Sequence, residues 1–118
     1  VMCIDVVRAV RREPEGTAAL LDELALARGV HAAFDARARE LEAMLASADD
    51  DARDGRRLAQ MIATLMQAAL LLRHAPGAVA GAFCATRLDA AACVGAVFGT
   101  MPAALASRAI LDRALPER

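Results

Sequence analysis

At 118 residues the chain is long enough to bury one real core, and it is 58% hydrophobic with only three aromatic residues, Phe34, Phe83 and Phe98. Fourteen basic residues, all arginine, face 15 acidic ones, and the net charge of −1 excludes a whole-domain electrostatic grip on nucleic acid while leaving room for a local arginine face. Much of the hydrophobic fraction is alanine, Gly and Pro are sparse, and β-branched residues never alternate over a strand length; the expectation is all-α, a bundle of about five to six helices.

In chain order, residues 1–12 are amphipathic, with Cys3, Val6, Val7 and Val10 on one helical face. Nothing precedes Val1 to cap the first turn, so the expectation is that the chain is cut from a longer protein. Glu13-Pro14-Glu15-Gly16 reads as a break, because Pro disfavours helix at the residue before it. Thr17 is the expected cap of a second helix running to Arg28, with Leu20, Leu21 and Leu24 inward and Gly29 as its stop. His31 opens a third helix to Ser47. Its apolar face is Phe34, Ala38, Leu41, Leu45 and Ala48, while Asp35, Arg37, Arg39, Glu40 and Glu42 form a solvated face with Asp35 and Arg39 paired four apart. Asp49-Asp50-Asp51 suits an N-terminal cap better than a calcium loop, which needs alternating oxygen ligands and a closing Glu.

The central stretch, Leu58 to Leu72, carries no charge between Ala59 and Leu72. Apolar residues at 58, 62, 65, 69 and 72 mark one face, and Met61, Met66, Leu70 and Leu71 widen it, so burial on most sides is expected. Fifteen residues span about 22 Å, short of the roughly 20 apolar residues that a membrane crossing needs. This is a core helix ending at Arg73 or His74. Pro76 suits the first turn of the next helix, Gly77 to about Leu88. Asp89 can cap a further segment from Ala90 to Phe98, Gly99 to Pro102 breaks again, and Pro102 to Ala114 is a last short helix. Gly77 and Gly81, like Gly95 and Gly99, are four apart, a spacing that lets helices approach closely.

Catalytic machinery is not legible in this chain. Ser47 and Ser107 sit in no nucleophile motif, and His31 and His74 fall on different elements. Clustered metal ligands are missing, as are the Gly-rich loops that cradle phosphate. Cys3, Cys84 and Cys93 form an odd set without C-x-x-C, which reads as reduced, buried thiols of a cytosolic protein. No signal peptide is visible. His74 sits at a helix C-terminus, where the dipole favours it. What remains is arginine: Arg8, Arg11 and Arg12 on the first helix, Arg53, Arg56 and Arg57 opening the central one, then Arg73 and Arg87. These are either a solvated face or phosphate contacts to duplex DNA; base stacking has almost no aromatic support.

Three stretches, Val1-Met2-Cys3-Ile4-Asp5-Val6-Val7-Arg8, Ala69-Leu70-Leu71-Leu72-Arg73-His74-Ala75-Pro76 and Ala82-Phe83-Cys84-Ala85-Thr86-Arg87-Leu88, resemble one family. It is the C-terminal end of AidB-type adaptive-response flavoproteins, a branch of the acyl-CoA dehydrogenase superfamily. The likeness runs from residue 1 to about 88 and resumes at 98–102 and 109–111. It implies that residues 1–12 continue a helix from a missing FAD-binding helical domain and that 13–118 form a C-terminal helical domain. It also implies an FAD-bound tetramer, its catalytic glutamate lying before Val1; the unpaired cysteines and the short central helix add the expectation of a cytoplasmic protein that does not enter a membrane. The FAD-contacting segment would end within Val1, Met2, Cys3 and Ile4. Duplex DNA contacts, if this domain makes them, would fall to Arg8, Arg53, Arg56, Arg57, Arg73 and Arg87. The family's usual Gly- and Trp-containing turn is replaced here by Asp89-Ala90-Ala91-Ala92-Cys93.

Overall fold

The computed structural model describes residues 2–47, 55–89 and 107–115. Among these residues there are six helices and no strand, as the alanine-rich composition predicts: α1 (Met2–Arg12), α2 (Pro14–Ala25), α3 (Ala32–Ala46), α4 (Gly55–His74), α5 (Gly77–Arg87) and α6 (Ser107–Ala114). Several expectations lie outside the described residues: the Asp49–Asp51 cap, Ala48 of the third helix, the segment from Ala90 to Phe98 with Cys93, the break at 99–102, and the start of the last helix before Ser107.

Pro14 begins a helix instead of ending the disruption, which corrects the expected start at Thr17. Proline lacks the N–H that the first helical position leaves unpaired in any case, and its fixed φ suits that position. Glu13 alone, with φ −125° and ψ 70°, turns the corner from α1 to α2 without a side-chain cap. The missing Pro14 N–H has a second effect, because it would have bonded the Val10 carbonyl one turn back. The Thr17 hydroxyl takes its place and donates to Val10 O at 3.2 Å. Thr17 therefore ties α2 to α1 and caps nothing.

α2 ends at Ala25, three residues before the expected Arg28, and the chain turns through Gly29 at φ +81°, a conformation that disfavours any Cβ. The turn is closed by Asp35, whose carboxylate accepts the Gly29 N–H at 3.1 and 3.3 Å. Asp35 thus faces backwards to the turn, not forwards to Arg39. His31 is the N-cap of α3, its Nδ1 accepting the Ala33 N–H at 3.2 Å. At the far end of α4, Pro76 is the N-cap of α5, which begins at Gly77 as expected, and its carbonyl receives the Val79 and Ala80 N–H groups at 2.9 and 3.1 Å.

α4 is the element on which the rest assembles, packing against α1, α2, α3 and α5. The core joins Leu24 and Ala27 to Phe34, Ala38 and Leu41 of α3, to Leu58, Leu65, Ala68 and Ala69 of α4, and to Cys84 and Leu88 at α5, with Val7 and Val10 of α1 against it. Each large side chain fully removed from water contributes about 1.5–3 kcal/mol. The predicted face of α4 is the one that turns inward, but burial on most sides does not hold. Arg56, Gln60, Ala63, Gln67, Leu70 and His74, alternating four and three apart, form an exposed stripe down its outer side. Leu20 and Leu21, expected inward, are only half-buried, while Leu24 is buried. A Cβ added at Gly77 or Gly81 would meet nothing within 4 Å among the described residues, so no described helix approaches closely there.

Candidate functional site

Arginine is the chemistry-bearing residue type that the sequence singles out, and the structure shows how several of the candidates are used. Arg57, in the first turn of α4, pairs with Glu40 of α3. Arg73, in the last turn of α4, pairs with Glu23 of α2. Sixteen residues of α-helix separate these two, about 24 Å along the axis, so they do not meet in one patch. Arg8 is exposed on α1 and lies 3.7 Å from Asp5 one turn earlier. Arg56 is exposed at the start of α4, and Arg87 is exposed in the last turn of α5. Arg53 lies outside the described residues. The candidate DNA contacts are therefore scattered over three helices, two of them engaged by glutamates from neighbouring elements.

The densest polar arrangement falls where periodicity predicts a solvated face. Arg37 and Glu40, one turn apart on α3, are each only 28% exposed in their side chains. The Arg37 Nη1 donates to Glu40 Oε2 at 2.6 Å, and its Nε donates to the Leu88 carbonyl at 3.0 Å. Glu40 also accepts from Arg57. The hydrogen bond from Arg37 holds the Glu40 carboxyl below its ordinary value, outweighing partial burial, with Arg57 acting in the same direction. One carboxylate and two guanidiniums thus join α3, the start of α4 and the end of α5. Arg37 also satisfies a carbonyl that a helix C-terminus leaves without an intrahelical partner. This is a clasp, and sequence reasoning missed it: Arg37 and Glu40 show as an i,i+3 pair, but nothing local points to Leu88, 51 positions on.

Beside the clasp lies an open cleft of about 360 Å³, lined by Ala32, Ala33, Ala36, Arg37, Glu40, Leu88 and Asp89. Its two central charged groups already satisfy one another, and among the described residues no buried side-chain nitrogen or oxygen lacks a partner. No cluster of three or more His, Cys, Asp or Glu among the described residues is placed to hold a metal ion. His31 is occupied with capping and His74 is exposed at the end of α4. Cys84 is fully buried, and loss of water pushes its thiol up to about 11, so it is a poor nucleophile at neutral pH. No helix among the described residues is long and apolar enough to cross a membrane.

Three of the four residues expected at the edge of a flavin, Met2, Cys3 and Ile4, begin α1. Val1 lies outside the described residues, Met2 and Cys3 belong to α1, and Ile4 is 41% exposed. An exposed isoleucine suits the flat apolar face of an isoalloxazine ring. The pyrophosphate of FAD would need strong donors, and Met2 and Ile4 carry none in their side chains while a cysteine thiol such as that of Cys3 is only a weak one. No known protein family matches this chain, and no curated protein or solved structure matches it either.

Proposed function

We propose that this chain is a scaffolding domain: the C-terminal helical domain of an acyl-CoA dehydrogenase-like FAD flavoprotein of the AidB type, packing on the flavin domain of its parent protein and on partner subunits. The reading starts from the resemblance at residues 1–8, 69–76 and 82–88. The observation that carries the scaffolding role is the engagement of Arg57 and Arg73 with Glu40 and Glu23, about 24 Å apart on α4. A duplex-binding surface keeps its guanidiniums together and open to phosphate; here two of the best-placed ones link helices. In this reading FAD is held mainly by other parts of the parent and supplies hydride acceptance there. Ile4 packs at the rim, Arg8 stands near the cleft, and no residue of this chain is catalytic. The parent is a cytoplasmic oligomer, a tetramer by resemblance.

Binding of duplex DNA, protecting it from alkylation, is the competing role, resting on exposed Arg8 and Arg56. Two measurements on the full-length protein separate the outcomes. The scaffold reading expects yellow protein, or colourless protein that takes up FAD on reconstitution, with weak duplex affinity that barely changes with salt. Steep loss of duplex affinity with rising salt, on a log–log plot, would establish the DNA role instead. Protein that neither carries nor accepts FAD would overturn the flavoprotein assignment and leave an inert helical interaction domain.

A further inference from the structure

We draw no further inference here: the strongest candidate, the cleft of about 360 Å³ between α3 and the end of α5 beside the Arg37–Glu40 pair, ends at Asp89 where the described stretch ends, and nothing in the structure shows what covers it.

Discussion

Leu65 and Leu70 lie five residues apart on α4, and their surroundings differ enough to make a controlled comparison. Leu65 is 0% exposed and Leu70 is 46% exposed. Truncating either to alanine removes three carbons, worth about 2.4 kcal/mol when fully buried at roughly 0.8 kcal/mol per methylene. At Leu65 the neighbouring helices cannot close in completely, so a cavity term adds to the transfer term and the expected loss is about 2–5 kcal/mol. At Leu70 only about half of the transfer term applies, no cavity forms, and alanine's higher helix propensity offsets a few tenths, leaving about 1 kcal/mol. For a chain of this size, at about 4 °C per kcal/mol, Leu65→Ala should lower the melting temperature by roughly 8–20 °C and Leu70→Ala by about 4 °C. Thermal and urea unfolding followed by far-UV circular dichroism reads both. Equal losses at the two positions would refute the assignment of an inner and an outer side to α4. If Leu70 proves costlier in the full-length protein than in this chain, the outer stripe is covered there, as the scaffold reading requires.

The clasp makes stability depend on acid. Because the Glu40 carboxyl sits below its unfolded value, its contribution is complete above the ordinary carboxylate range and is lost as pH falls through that range and then through the lowered folded value. The melting-temperature gap between the native chain and Glu40→Gln should therefore be widest near neutrality and shrink in acid; a constant gap would count against the clasp. Cys84 should resist iodoacetamide in native protein and react once the chain unfolds, read by mass spectrometry of its peptide, and rapid native labelling would contradict its burial. Gly81→Ala should stabilise α5 by roughly 0.5–1 kcal/mol, since a methyl there meets nothing among the described residues. Destabilisation would show that the position is tightly packed after all.

What the sequence made legible follows from which physical signals are local. The C-terminal end of α4 and its inward face were readable because periodicity depends only on neighbours along the helix, and Leu58, Leu65 and Ala69 are buried as their spacing predicts. Its outer stripe was not, because an uncharged residue is not thereby a buried one: Gln60 and Gln67 satisfy their amides in water. Pro14 misled because the same ring that breaks a helix from within suits its first position. The third helix's solvated face was misjudged at Arg37 and Glu40, whose long stems bring charged ends to partners on other elements. Such partners are set by how α3, α4 and α5 pack, which no window of sequence contains. The candidate arginines were found by type, but pattern alone could not reveal that Arg57 and Arg73 are spoken for.

The corner at Glu13 bears on mechanics as well as architecture. With a single linking residue and the Thr17 hydroxyl fixed on Val10 O, α1 and α2 behave as two arms of a bracket. α1 extends about 16 Å from that vertex. A change of roughly 10° in the bracket's angle would therefore carry the Met2 end through only about 3 Å. The first turn of α1 is thus placed jointly by this corner and by the packing of α1 along α4.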